Sequence, residues 1–143
     1  MVKNIRMNKT PVENQLFALA LQARKNAYVP YSRFAVGAAV ESGSGRLYAG
    51  CNVENVSYPV GTCAEAGAIA AMVAAGEKLI RRILITADSP ELITPCGACL
   101  QRIKEFSSEH TEILLADTKN IRQTLTVKDL LPFAFNNEDL KND

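Results

Sequence analysis

Residues 62–86 read TCAEAGAIAAMVAAGEKLIRRILIT, and this stretch decides the fold. From Cys63 to Gly76 the chain is Ala-rich and apolar, which predicts a buried helix, with Thr62 as its N-cap. Ile80 to Thr86, apolar apart from Arg81 and Arg82, reads as a strand of the kind covered on both faces. Downstream, Ala87 to Pro95 reads as a loop, and Cys96 to Phe106 as a second helix introduced by Pro95. Glu112 to Ala116 reads as another strand, and Ile121 to Val127 as a fifth. Leu130 to Phe135 is a short apolar segment before a polar end. Upstream, Asn55 to Gly61 is a loop. Phe34 to Glu41 and Arg46 to Val53 form a hairpin around the turn Ser42-Gly43-Ser44-Gly45. Leu16, Leu19, Ala20, Ala23 and Ala27 recur at helical spacing, so a helix is expected from Pro11 to Ala27, broken by Tyr28-Val29-Pro30-Tyr31. Helices and strands alternate after the hairpin. That order predicts an α/β fold, a three-layer α/β/α sandwich around one mixed five-stranded sheet.

The 143 residues are the size of one domain, read as residues 1–143 with residues 1–10 as a loose polar arm. Such a chain buries a core without disulfides. Nearly half of it is hydrophobic, and the net charge of +1 gives no electrostatic footprint for nucleic acid polymers or a membrane surface. No run approaches a bilayer-spanning length, and the opening MVKNIRMNKT lacks the apolar centre of a secretion signal. A cytoplasmic address is expected. Thiols stay reduced there, so the four cysteines read as metal ligands or buried thiols.

Three cysteines fall at two helix starts: Cys63 at one, Cys96 and Cys99 at the next. The i, i+3 spacing puts the latter two on one helix face. Helix N-termini favour negative charge and push thiols toward thiolate. Three thiolates make a soft site for one Zn²⁺ per chain and leave a fourth position for water, whereas a structural site normally closes with four protein ligands. Zinc lowers the pKa of bound water to about 7. Glu65, two residues past Cys63, is placed to carry protons. Cys63-Ala64-Glu65 followed by Pro95-Cys96-Gly97-Ala98-Cys99 is the all-cysteine form of the zinc deaminase signature. Other readings of these residues are a redox-active Cys-x-x-Cys and a structural zinc knot closed by Cys51. Cys51 itself reads as a buried strand thiol, and His110, the single histidine, as a surface residue in a polar turn.

At these residues the chain resembles the cytidine deaminase family in its small tetrameric form. The likeness extends to Tyr31-Ser32-Arg33-Phe34-Ala35-Val36-Gly37-Ala38-Ala39, similar to the family's first strand. It includes Gly50-Cys51-Asn52-Val53-Glu54-Asn55-Val56-Ser57-Tyr58, similar to its ribose-binding segment, and Leu130-Leu131-Pro132-Phe133-Ala134-Phe135 at the C-terminal side. The resemblance implies zinc-dependent hydrolytic deamination of cytidine and 2′-deoxycytidine in pyrimidine salvage. In it Asn52 and Glu54 bind the ribose hydroxyls, Phe34 lies against the pyrimidine, and the Ala64 backbone orients the base. Glu65 contacts the base and moves protons. It also implies a homotetramer in which Tyr58 and Phe135 reach a neighbouring subunit's site. A deaminase of another aminopyrimidine and a non-catalytic zinc scaffold are the competing readings.

Two positions depart from that pattern. Three-cysteine members often carry Arg directly after the Glu and directly after the last Cys, but Ala66 and Leu100 stand here. Zinc with three thiolates is formally anionic, which opposes ionisation of water. The two helix N-termini offset part of that charge, and Arg102, three residues past Cys99, is the expected further cation.

Overall fold

The computed structural model describes residues 10–140. Helix α1 spans Pro11–Lys25. Strands β1 (Val36–Ser42) and β2 (Leu47–Cys51) form the hairpin. Helix α2 (Ala64–Ala74), strand β3 (Ile80–Ala87), helix α3 (Gly97–Glu105), and strands β4 (Ser107–Ala116) and β5 (Ile121–Thr126) follow, and a short helix α4 (Val127–Leu130) closes the sheet region. The strand order is β2-β1-β3-β4-β5. The β3/β4 pair is parallel, and every other neighbouring pair is antiparallel. This is the expected mixed five-stranded sheet.

Period-two alternation divides the strands between two cores. Ala39, Leu84 and Leu114 face α1, where Leu16, Phe17 and Ala20 cover them. Ala38, Val40, Ile83, Ile85, Ile113 and Leu115 face the opposite way, against Ala64, Ala68 and Met72 of α2 and Leu100 and Ile103 of α3. A Cβ on Gly50 would lie 2.4 Å from the Ala68 nitrogen and 2.5 Å from the Ala64 oxygen. Glycine there lets the α2 backbone rest directly on β2.

Strands β2 and β3 both run antiparallel to β1, so they point the same way. Helix α2 starts after β2 and α3 starts after β3. Both helix N-termini therefore lie at one end of the sheet, outside the carboxyl ends of these strands, where open α/β sheets bind ligands.

Several boundaries move from their sequence-based positions. The expected loose arm covers residues 1–9, which lie outside the described residues, and Thr10, which instead caps α1. The Glu13 N–H donates to Thr10 Oγ1 at 3.3 Å, and the Thr10 N–H donates to Glu13 Oε2 at 3.1 Å. Thr62 is not the cap of α2. It bridges to Val53, and Cys63 takes the cap position. Residues 31–35 are not strand: the Tyr31 and Ser32 N–H groups are spent on Glu54, and Arg33 adopts φ 57°, so pairing begins only at Val36. Strand β4 starts earlier than its apolar run, at Ser107, because Thr111 Oγ1 donates to the Ile80 carbonyl at 2.6 Å and accepts the Ser108 N–H at 2.9 Å. His110 thus belongs to β4 rather than to a turn, with its side chain exposed as expected.

Candidate active site

Cys63 is the N-cap of α2 and Cys96 the N-cap of α3. Cys99 sits one turn into α3 and is buried, while Cys63 is half-buried and Cys96 exposed. The Sγ atoms of Cys63, Cys96 and Cys99 all lie within 4.8 Å of one another. Tetrahedral zinc–thiolate bonds of about 2.3 Å call for sulfurs about 3.8 Å apart, so the set fits one ion after small side-chain adjustment. Among the described residues Cys51 is outside this group, half-buried at the end of β2.

The electrostatics follow from position. The Cys99 and Ala98 N–H groups lower the Cys96 thiol pKa, as expected for a sulfur at a helix start. Burial raises that of Cys99, and the nearby Glu65 and Cys63 add to the rise. Glu65, in the first turn of α2, is 5% exposed. Burial pushes its carboxyl above the usual carboxylate range, against the pull of its own N–H, the Cys99 thiol and Arg102. A dication between the sulfurs would supply the positive charge that lets them ionise together. Arg102 Nη1 donates to Cys99 Sγ at 3.6 Å.

A cavity of about 460 Å³ opens beside Cys63, and its lining includes Tyr31, Ser32, Asn52, Glu54, Tyr58 and Thr62. Residues 52–54 continue past β2 as an irregular strand, bridged at Val53 to Tyr28 on one side and Thr62 on the other. Alternation then sends Asn52 and Glu54 to the same cavity. Asn52 Oδ1 accepts the Val36 N–H at 2.8 Å, and its Nδ2 donates to the Phe34 carbonyl at 2.8 Å, leaving one N–H free for a ligand. Glu54 Oε1 accepts from the Tyr31 and Ser32 N–H groups at 2.9 and 3.0 Å, and Oε2 accepts from the Ser32 hydroxyl. The Ser32 hydroxyl bond, opposed in part by desolvation, lowers the Glu54 pKa, so Glu54 is a fixed acceptor.

Not every expected substrate contact converges here. Phe34 lies on the adjoining loop, 38% exposed, and its side chain does not line the cavity. Ala64 is fully buried at the start of α2. Tyr58 is exposed and meets Tyr31 edge-on at 5.9 Å. Phe135 is exposed away from its own chain's cavity, and its carbonyl accepts from Gln101 Nε2 at 2.6 Å. Sequence reasoning missed Ser32 and the Tyr31 N–H as holders of Glu54. The signal was available in Glu54 itself, a carboxylate whose acceptor oxygens need donors.

Two strand-to-helix junctions joining three thiols to one buried carboxyl define a zinc-binding hydrolytic centre. The family model for the cytidine and deoxycytidylate deaminase zinc-binding region matches residues 11–115, and the chain belongs to this family. It is 41% identical over 126 residues to the cytidine deaminase of Sporosarcina psychrophila, covering 88% of this chain and 93% of that one. It is 40% identical over 127 residues to the cytidine deaminase of Mycobacterium tuberculosis, covering 89% and 92%. The crystal structure of cytidine deaminase from Burkholderia pseudomallei superposes with a TM-score of 0.82 at 37% identity, over 89% of this chain and all of that one.

Proposed function

We propose that this chain hydrolyses cytidine and 2′-deoxycytidine to uridine and 2′-deoxyuridine, releasing ammonia, as a step of pyrimidine salvage. The observation that carries this reading is the meeting of three sulfurs within 4.8 Å of one another, a buried Glu65, and a cavity bearing Asn52 and Glu54. Cys63, Cys96 and Cys99 would hold zinc, which supplies the Lewis acidity that makes water nucleophilic near neutral pH. Glu65 accepts a proton from the attacking water and passes it to N3 of the pyrimidine, while the water oxygen bonds to C4. It then carries the second proton to the exocyclic nitrogen, the C4–N4 bond breaks, and ammonia leaves. The raised pKa of Glu65 suits a group that must take and return protons. Asn52 offers its remaining N–H and Glu54 its remaining acceptor capacity to the ribose hydroxyls, contacts that a base without the sugar would forgo.

The assembly belongs to the same proposal. A homotetramer would cover Tyr58 and Phe135, which are 75% and 56% exposed, and would bring Phe135 to a neighbour's cavity. A cytoplasmic address agrees with a site built of reduced thiols. Among the described residues no helix is long and apolar enough to cross a membrane.

The test is an ultraviolet assay with cytidine, deoxycytidine and free cytosine, following ammonia, with metal analysis on the same sample. Turnover of both nucleosides with little turnover of cytosine is the expected result. Equal rates on cytosine and cytidine would remove the ribose-binding assignment.

A further inference from the structure

Zinc held by three thiolates carries a net negative charge, and that charge weakens its pull on water. The two helix N-termini at Cys63 and Cys96 return part of it, roughly half a unit each. The next turn of α3 supplies a full cation. Leu100 points into the core between α3 and the sheet, and Gln101 is held by the Phe135 carbonyl. Arg102 turns back on the cluster, with Nη1 3.6 Å from Cys99 Sγ. Its path crosses the groove between α2 and α3, where Ala66 and Ala98 present only methyl groups. Among the described residues its guanidinium makes no ion pair with a carboxylate that would divert it.

We propose that Arg102 is the counter-cation of the three-thiolate centre, a positioning residue that donates to Cys99 Sγ and withdraws electron density from the sulfur set through the groove left open by Ala66 and Ala98. This rests on the deaminase reading and adds the residue that tunes its metal. Arginine suits the task because it stays charged at any working pH and donates in a fixed plane, and charge-assisted bonds are about twice as strong as neutral ones. Contacts outside the ligand set commonly change metal-site activity by roughly 10–100-fold.

The experiment compares the parent with Arg102→Lys, Arg102→Gln and Arg102→Ala, each loaded with zinc for kinetics and with Co²⁺ for absorption spectra. Lys104→Ala, a charge removed elsewhere on α3, serves as a control. The expected result is a fall in kcat of at least about tenfold in the Gln and Ala variants, with KM changed less and partial recovery in the Lys variant. The thiolate-to-cobalt charge-transfer band should move to longer wavelength in Gln and Ala, because sulfurs without the cation are richer in electrons. Loss of metal from both uncharged variants with retention in the Lys variant would carry the same meaning. An Arg102→Ala protein with the parent's kcat and cobalt band, or a Gln variant that matches Lys in both, would overturn the proposal. A parent that holds no zinc or leaves cytidine intact would instead overturn the deaminase reading.

Discussion

Glu65 and Glu77 stand at opposite ends of α2, and their surroundings drive their carboxyls in opposite directions. Glu65 is enclosed at the helix start beside three sulfurs, and burial raises its pKa. Glu77 follows the helix end on the surface, where Gly76 at φ 92° turns the chain and the Glu77 N–H returns to the Met72 carbonyl at 3.2 Å. Its carboxylate gathers the Ser42 hydroxyl, the Ser44 hydroxyl and N–H, and the Tyr48 hydroxyl, and these donors hold its pKa down to about 2. One carboxyl can take up and give back a proton. The other is ionised at neutral pH and pins the β1–β2 turn to the chain just after α2. Where burial outweighs the donors the carboxyl becomes a reagent, and where donors outweigh burial it becomes a staple.

The sharpest way to break this contrast is Glu65→Gln. It keeps the shape and removes the proton carrier, so kcat should fall by roughly 10²–10⁴-fold while zinc content and melting temperature hold. Metal analysis beside the cytidine assay reads both. Comparable activity in that variant would assign proton transfer to another group. A smaller loss is expected from Glu54→Ala, about ten- to hundredfold in kcat/KM, since a charge-assisted bond to a ribose hydroxyl goes with it. The effect should be much weaker with a substrate analogue lacking those hydroxyls, which separates lost binding from a disturbed 31–32 turn.

Glu77→Gln should leave turnover near the parent's and lower the unfolding midpoint by a few degrees at neutral pH. The sign follows from a pKa lowered on folding. Its contribution is complete above the ordinary 4.5 and is lost as pH falls toward about 2. The gap between parent and variant should therefore close across that acidic window; zinc release affects both proteins and drops out of the difference. A gap that stays constant with pH would show that the serines and Tyr48 hold the turn without the charge. The smallest effect is expected from Cys51→Ala, which should keep full zinc content because Cys51 lies outside the sulfur cluster. An empty site in that variant would mean that the fourth position is a protein ligand.

The elements that carry an unambiguous period were legible in the sequence. The strand 80–86 and the Ala-rich helix before it appear within one or two residues of their expected bounds, because burial on both faces from Ile83 onward leaves no competing arrangement. The zinc cluster was legible for a related reason, since its spacing places sulfurs at helix starts that the sheet direction then brings together. What escaped was set by single polar groups with long-range partners. Thr62 has the chemistry of a cap, yet its backbone pairs with Val53, 9 positions away, through N–H···O bonds of 2.9 Å in both directions. The segment before Val36 reads on into the strand, but Glu54 claims the Tyr31 and Ser32 amides from 22–23 positions away. The i+3 spacing puts Arg102 within reach of Cys99 but leaves a solvated side chain equally open; its turn toward Cys99, and the room it needs at Ala66 on another helix, show only in the folded chain.

An open three-thiolate zinc centre beside a proton-carrying glutamate has a distinct signature in X-ray absorption at the zinc edge of the loaded protein. The expected spectrum has one zinc per chain with three sulfurs at about 2.3 Å and one oxygen or nitrogen ligand, the latter replaced when a hydrated-pyrimidine transition-state analogue binds. Four sulfur ligands, or a light ligand indifferent to the analogue, would contradict it.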